Sequence, residues 1–216
     1  MVLDSAPLHL PILDWGCGNG HVSCFLLEAG YSQIHCYAFR PPALIGSEAC
    51  RDGRMTIHVA NKHHGSSIPL PSGFFQTVLS IGVLEHVRET GGTEIESLRE
   101  INRILRDGGR LIGYHLPNAL SPIEALSRLL PGKYHHQYLF RRNQVANLLD
   151  QAGFSVEFIT LYGVLPRNLF SGPLSCLGNQ VFLCDCLEYL DRILSFLFRP
   201  SCQNFAFVAI KPGEPK

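Results

Sequence analysis

Features typical of membrane and secreted proteins are missing from this sequence. No stretch offers about 18 uninterrupted apolar residues, the length that a transmembrane helix requires. The first residues, Met-Val-Leu-Asp-Ser-Ala-Pro, contain neither the basic region nor the apolar run of a secretory leader. We therefore expect a cytoplasmic protein with no integral membrane segment.

An excess of either charge is also missing. The chain has 18 basic and 18 acidic residues, so its formal net charge is zero with histidine neutral. Proteins that bind nucleic acids or anionic membranes usually carry a basic surface. The balance predicts that nucleic acid is not a partner.

Paired cysteines are the third absence. The eight cysteines form no Cys-x-x-Cys pair, and Cys184-x-Cys186 has no second pair at zinc-finger spacing. Reduced thiols packed as small core residues are therefore favoured over a disulfide framework. No metal site is predicted from this pattern.

What the sequence does contain is a repeated alternation of strand and helix patterns. Its 216 residues, 46% of them hydrophobic, suit one well-buried domain, which we assign to residues 1–216. The alternation predicts a mostly parallel sheet that is covered by helices on both faces. The predicted strands are Leu10 to Asp14, Ile34 to Ala38, Met55 to Val59, Phe75 to Ile81, Arg110 to His115, Phe154 to Leu161 and Phe205 to Ile210. The clearest predicted helix is Ser97 to Arg106.

Two segments interrupt this alternation, residues 117–142 and 163–203. Long connections at the carboxyl edge of an open α/β sheet are where a cap over a substrate is built, so we interpret both segments as cap or insert segments. The second contains an apolar-rich helix from about Val181 to Phe198. We expect that helix to pack on the core rather than lie on a membrane, because its acidic residues outnumber its basic ones.

Residues Ile12 to Gly20, Ile-Leu-Asp-Trp-Gly-Cys-Gly-Asn-Gly, form the most informative motif. Glycine lets the backbone turn sharply and approach a ligand closely, and the first turn of the helix that follows has free N–H groups for an anion. A dinucleotide fingerprint, Gly-x-Gly-x-x-Gly, would need glycine at position 21, which is His21. The motif therefore favours another nucleotide-containing cofactor.

The spacing resembles the first motif of class I S-adenosylmethionine-dependent methyltransferases, and three more segments are similar to that family in the same order. The resemblance implies a Rossmann-like, doubly wound α/β fold with a seven-stranded sheet whose last strand is antiparallel. It also implies S-adenosylmethionine as the cofactor. The three segments are Ile68-Pro-Leu-Pro-Ser-Gly-Phe-Phe-Gln-Thr-Val-Leu-Ser80, Val83-Leu-Glu-His-Val87 and Leu98-Arg-Glu-Ile-Asn-Arg-Ile-Leu-Arg-Asp-Gly-Gly109.

The resemblance also implies which residues bind the cofactor, and it shows departures from the family pattern. Ala38 stands where the family carries an acidic residue that holds the ribose hydroxyls, Asn61 replaces the acidic residue near the adenine, and Gln76 replaces an aspartate. The lost ribose carboxylate is expected to weaken binding by about one to two decades. The implied cofactor-binding residues are Asp14, Gly16, Cys17, Gly18, Gly20, Ala38, Phe39, Ala60, Asn61, Lys62, Ser80 and Ile81.

His86 is the candidate catalytic residue. Methyl transfer needs proximity and a nucleophile relieved of its proton, so a histidine just past the fourth strand is suited to act as a general base. The alternative is that Glu85 and His86 simply cap or pack a helix. Some relatives bind a metal through Glu-x-x-Glu-His, but the first position here is Gly82, and the sequence offers no reason to join His135 or His136 to Glu85.

Polar residues after the fifth strand are the candidates for substrate binding. They are Tyr114, His115, Asn118, His135 and His136, the last two within an aromatic and polar patch that includes Tyr134 and Tyr138. The alternatives are a satisfied polar cluster at a strand end and a solvated surface loop.

The predicted function is transfer of a methyl group to a hydroxyl, amine or carbon of a small metabolite. The alternative is a protein of the same fold that no longer methylates and acts as a binding or scaffolding partner. The first strand begins near residue 10, ahead of which relatives commonly have helices that close the cofactor pocket. Either the two insert segments do this work, or a second subunit or another partner covers the site, or the cofactor is more exposed than usual.

Overall fold

The computed structural model describes residues 6–45, 53–60, 66–129, 135–166 and 180–213. Three candidate residues named above lie outside these ranges: Asn61, Lys62 and Tyr134. The strands are β1 Ile12–Trp15, β2 Ile34–Ala38, β3 Met55–Val59, β4 Phe75–Ile81, β5 Leu105–Pro117, β6 Ser155–Tyr162 and β7 Asn204–Ile210. The helices are α1 His21–Glu28, α2 Glu94–Ile104, α3 Pro122–Leu129, α4 Arg142–Gln151 and α5 Val181–Leu197, with 3-10 helices at Leu84–Thr90 and Arg199–Ser201.

All seven strands form one sheet in the order β3-β2-β1-β4-β5-β7-β6. Neighbouring strands from β3 to β5 are parallel, and β7 is antiparallel to both β5 and β6. The prediction of a mostly parallel seven-stranded sheet with an antiparallel last strand is confirmed. The order reverses between β1 and β4, and ligands of open α/β sheets bind at the carboxyl ends of strands at such a point.

Helices cover both faces of the sheet. Neighbouring residues of β1, Ile12 and Leu13, belong to different buried clusters, as alternate side chains of a strand must. Leu26 of α1 packs in the cluster of Ile12, whereas Leu98 of α2 and Leu149 of α4 pack in the cluster of Leu13. This confirms the predicted doubly wound arrangement.

Helix α2 begins and ends earlier than predicted. The hydroxyl of Thr93 accepts a hydrogen bond from the backbone N–H of Glu96, which caps the helix before Glu94. Leu105 already has extended backbone angles and pairs with Phe75 of β4. The helix therefore gives way directly to β5 at Leu105.

The prediction that the apolar-rich helix packs on the core is wrong. None of the residues of α5 is buried, and Phe182 and Phe196 are 81% and 80% exposed. Other helices already cover both faces of the sheet, and α5 lies beside β6 and the 3-10 helix Arg199–Ser201. Its polar side chains hold the chain after β6: Asp191 accepts hydrogen bonds from the N–H groups of Val164 and Leu165.

Candidate active site

The glycine motif forms a tight turn between β1 and α1. Gly16 has a φ of +76°, and a Cβ built on it would lie 2.5 Å from Cγ2 of Val83, which follows β4. The N–H groups of Gly16 and Cys17 both donate to the carbonyl oxygen of Tyr37 at 2.8 and 3.1 Å. Only glycine at position 16 allows the turn to lie against the segment after β4.

Asp14 lies beneath this turn and is buried. Its Oδ2 accepts a hydrogen bond of 2.6 Å from the hydroxyl of Ser23 in α1, and Cys36 of β2 contacts the same hydroxyl at 3.1 Å. Burial raises the pKa of Asp14 from its ordinary value of 3.8 to about 6, and the hydrogen bonds from Ser23 oppose that rise. The carboxylate thus ties β1 to the start of α1.

A cavity of about 890 Å³ opens beside the turn, at the point where the strand order reverses. Its volume is near the upper end of the range for small-molecule pockets, roughly 300 to 1,000 Å³. Six of the predicted site residues line it: Gly16, Gly18, Ala38, Phe39, Ala60 and His86. Trp15, Tyr37 and Val83 also line it but were not predicted as site residues, although each adjoins a motif that was.

Other predicted cofactor residues are not among those that line the cavity. They are Asp14, Cys17, Gly20, Ser80 and Ile81. Asp14, Cys17, Gly20 and Ser80 are buried because their positions lie within the sheet or in the turn behind the cavity wall. A cofactor role for these residues remains a prediction.

The departures from the family pattern have different structural meanings. Ala38 is the last residue of β2 and lines the cavity, as a residue that contacts the cofactor must; its place beside the ribose stays a prediction. Gln76, in contrast, accepts a hydrogen bond from Nε of Arg106 and donates its N–H to the carbonyl oxygen of Pro11. Gln76 therefore contributes to packing between strands.

His86 lies on the 3-10 helix after β4 and lines the cavity together with Glu89. Nδ1 of His86 lies 2.8 Å from Oε1 of Glu89. An ionised carboxylate only accepts hydrogen bonds, so Nδ1 carries the proton, and the neutral ring has its lone pair on Nε2. This tautomer is the one that a general base requires.

The structure joins His136 to Glu85 and His86, which the sequence did not predict. The imidazole rings of His86 and His136 are 6.0 Å apart between centroids. Glu85, His86 and His136 each offer a ligand atom, and these atoms lie within 4.8 Å of one another. The sequence offered no reason to join His136 to Glu85, and the structure brings both residues together with His86.

Glu124 of α3 holds His136 in place. Its Oε1 lies 2.9 Å from Nδ1 of His136, and both side chains are largely buried. Burial raises the pKa of Glu124, but the hydrogen bonds and charge of His136 outweigh burial and leave that pKa below its ordinary value. His136 is therefore ordered by a carboxylate, as His86 is by Glu89.

The remaining substrate candidates form two groups. His115 has a φ of +64°, and its Nδ1 and backbone N–H both contact the hydroxyl of Tyr162, at 2.6 and 3.0 Å. Asn118 is buried and donates to the carbonyl oxygens of Pro200 and Cys202, which fits a satisfied polar cluster. Tyr114, His115, Asn118, His135 and His136 are not among the residues that line the cavity.

Comparisons with known proteins bear on the same segments. Residues 13–113 match the family model of a methyltransferase domain. The matched segment covers just under half of the chain. It runs from β1 into β5 and contains the glycine turn, Ala38 and His86, and the match confirms the predicted class I S-adenosylmethionine-dependent methyltransferase domain.

The chain is similar to a tRNA U34 carboxymethyltransferase of Desulforapulum autotrophicum, with 28% identity over 119 residues that cover 50% of this chain and 32% of that protein. Among solved structures it resembles a methyltransferase of Methanosarcina mazei, with a TM-score of 0.63, 16% identity and coverage of 99% and 97% of the two chains. It also resembles a chain in the complex between the Haloferax volcanii Trm112 methyltransferase activator and the putative methyltransferase. That match has a TM-score of 0.65, 14% identity and coverage of 98% and 87%. The structural matches establish the fold.

Among the helices that the structure describes, none combines the length and the apolar character needed to cross a membrane. The longest, α5, has 17 residues and includes four charged side chains, Asp185, Glu188, Asp191 and Arg192.

Proposed function

We propose that this protein is an S-adenosylmethionine-dependent methyltransferase that transfers a methyl group to a hydroxyl, amine or carbon of a small metabolite. The observation that carries the proposal is the cavity at the reversal of the strand order, lined by the glycine turn on one side and His86 on the other. The cofactor, when bound, supplies an electrophilic methyl group.

The wall of the cavity fits such a cofactor. A Cβ on Gly18 would meet no atom within 4 Å, so a ligand can lie directly against the turn there, whereas the missing side chain of Gly16 makes room for Val83. Ala38, Phe39 and Ala60 also line the cavity and give it an apolar surface suited to the adenine. Asn61 and Lys62 follow directly in the chain and are proposed to complete this part of the site.

His86 is the proposed general base for a hydroxyl or amine acceptor. Glu89 orients its ring through Nδ1, which leaves Nε2 to accept the proton of the acceptor. Proton removal would make the acceptor nucleophilic towards the methyl group that a bound cofactor would supply. The alternative, a helix-packing role, is less favoured because the side chain lines the cavity.

The chemistry of the surroundings favours a small acceptor. The cavity is mostly apolar, and the whole chain has no net charge with which to attract a polyanion. The tRNA U34 carboxymethyltransferase matches only half of this chain. We therefore use tRNA as a control in the activity test and do not expect it to be the acceptor. The substrate candidates do not line the cavity, so their contact with the acceptor stays a prediction: Tyr114, His115, Asn118, His135 and His136.

A partner or second copy that covers the site is part of the proposal. The Haloferax neighbour is solved in complex with an activator, which supports such a partner. The exposed apolar residues of α5 lie beside β6 and do not line the cavity. The six cysteines in the described ranges are free thiols, which suits the reducing cytoplasm that we propose as the location.

The second candidate function is binding or scaffolding without methyl transfer, and Ala38 favours it because the ribose acceptor is absent. The test is formation of S-adenosylhomocysteine when the protein is incubated with cofactor and a panel of small hydroxyl, amine and carbon acceptors, with tRNA as a separate sample. Product with a small acceptor, lost in His86→Ala while the cofactor still binds, supports the proposal. Product with tRNA alone overturns the acceptor class, and cofactor binding without any product favours the scaffold.

A further inference from the structure

We propose that Glu85, His86 and His136 form a binding site for one divalent transition-metal ion, with Zn²⁺ as the ion of choice. Their ligand atoms lie within 4.8 Å of one another, so small side-chain rotations bring them to the roughly 2.1 Å bond lengths of a zinc site. Two imidazoles and one carboxylate leave a further coordination position open, as in catalytic rather than structural zinc sites.

Each histidine of this set has its own carboxylate partner. Nδ1 of His86 lies 2.8 Å from Glu89, and Nδ1 of His136 lies 2.9 Å from Glu124. A carboxylate on Nδ1 fixes the tautomer that has its lone pair on Nε2, the nitrogen left for a metal, and it makes that nitrogen more basic. Histidines that bind metals commonly have such a carboxylate partner on their other ring nitrogen. Both histidines of this cluster have one.

Charge and burial support the same assignment. Glu85 is only 3% exposed, and a carboxylate away from bulk water attracts a cation more strongly than an exposed one does. The imidazoles favour a first-row transition metal over Mg²⁺ or Ca²⁺, which prefer oxygen ligands.

The site adjoins the cavity because His86 lines it. An ion held there places positive charge beside the cavity and lowers the pKa of a hydroxyl that it binds. Nε2 of His86 cannot hold the ion and accept a proton at once, so in the metal-bound protein His86 acts as a ligand and not as the base. The binding of the ion itself does not depend on methyl transfer.

The test uses the full chain without a histidine tag, stripped of metal by a chelator and then titrated with Zn²⁺ by calorimetry. A parallel titration with Co²⁺ is followed by visible absorption, which reports nitrogen and oxygen ligands directly. We expect one ion per chain. His136→Ala and Glu85→Gln should weaken binding at least about 100-fold, and Glu124→Gln about 10- to 100-fold. Circular dichroism of each variant establishes that the fold is retained.

Two control variants separate this site from other histidines. His9→Ala removes an exposed imidazole, and His58→Ala breaks the contact between Nε2 of His58 and Nδ1 of His35 at 2.9 Å. Both variants should bind Zn²⁺ as the unmodified protein does. The proposal is overturned if no ion binds below millimolar concentration, or if folded His136→Ala and Glu124→Gln bind it unchanged. S-adenosylmethionine binding, measured on the same stripped protein, tests the proposed function separately.

Discussion

Val83 fills the space directly in front of Gly16. Any Cβ at position 16 would lie 2.5 Å from Cγ2 and 2.7 Å from Cγ1 of Val83, far inside contact distance. The contact joins the turn after β1 to the segment after β4, the two elements that flank the reversal of the strand order. The shape of the cavity therefore depends on glycine at this position.

Gly16→Ala should destabilise the fold by about 2 to 4 kcal/mol, because it adds both a steric clash and strain at a positive φ. Urea denaturation monitored by the single tryptophan, Trp15, measures the change. Gly18→Ala is the matched control, since Gly18 has a φ of +53° but a Cβ added there would meet no atom within 4 Å. Equal losses in the two variants would contradict the role of Val83.

Ala38→Asp should tighten binding of S-adenosylmethionine by about one to two decades, because a carboxylate at the end of β2 can accept hydrogen bonds from both ribose hydroxyls. Calorimetric titration measures the affinity. Ala43→Asp adds the same charge at an exposed position of the same cavity and should change the affinity less than about threefold. An unchanged affinity in Ala38→Asp would mean that position 38 does not face the ribose.

The strands and the mostly parallel sheet could be predicted from local patterns and from the family resemblance, whereas the strand order comes from the structure. Alternating apolar strands and helices ending in glycine place β1, β2, β3 and β4 within one or two residues of their observed bounds. The same patterns did not predict the exposure of α5, because an apolar helix looks alike in sequence whether or not the core has room for it. Tertiary packing decides whether a face of the sheet has room for a further helix, and local sequence patterns do not report this.

The candidate site could be predicted only in part for a related reason. Gly16, Gly18, Ala38 and His86 lie in short motifs and were found. His136 lies close to Glu85 and His86 only in the folded chain, where Glu124 of α3 contacts its ring. No spacing in the sequence encodes a contact between segments so far apart.

Asp14→Asn should stabilise the protein at neutral pH. The pKa of Asp14 is raised from 3.8 to about 6 in the fold, so its favourable contribution is complete below pH 3.8 and is lost as the pH rises through about 6. The ionised group then opposes folding by up to about 3 kcal/mol, which asparagine avoids. Urea denaturation should show a stabilisation at pH 7.5 that shrinks towards pH 4, and an equal difference at both values would contradict the raised pKa.

The same variant tests the proposed cofactor role of Asp14. If the carboxylate helps to hold the amino end of the cofactor, Asp14→Asn should weaken S-adenosylmethionine binding about 10-fold. Ser23→Ala removes the hydrogen bond to Asp14 while leaving the carboxylate in place, and it serves as the matched variant. Unchanged cofactor affinity in Asp14→Asn would assign the carboxylate a structural role alone.

Protonation of His35 and His58 should lower the free energy of unfolding in acid. Burial, with the neighbouring His58, lowers the pKa of His35 from 6.5 to about 4, and burial also lowers the pKa of His58. Both rings fold in the neutral form, so their contribution is complete above pH 6.5 and is lost as the pH falls towards 4. Between pH 7 and pH 5, the free energy of unfolding should fall less in the double variant His35→Asn, His58→Asn than in the unmodified protein. An equal fall in both proteins would show that other groups cause the acid sensitivity.

The central claim is that the cavity between the glycine turn and His86 binds S-adenosylmethionine. Calorimetric titration of the protein with S-adenosylmethionine and with S-adenosylhomocysteine tests it most directly. The account predicts one binding site per chain for both ligands, with an affinity that Ala38→Asp increases. No detectable binding of either ligand at millimolar concentration would contradict it.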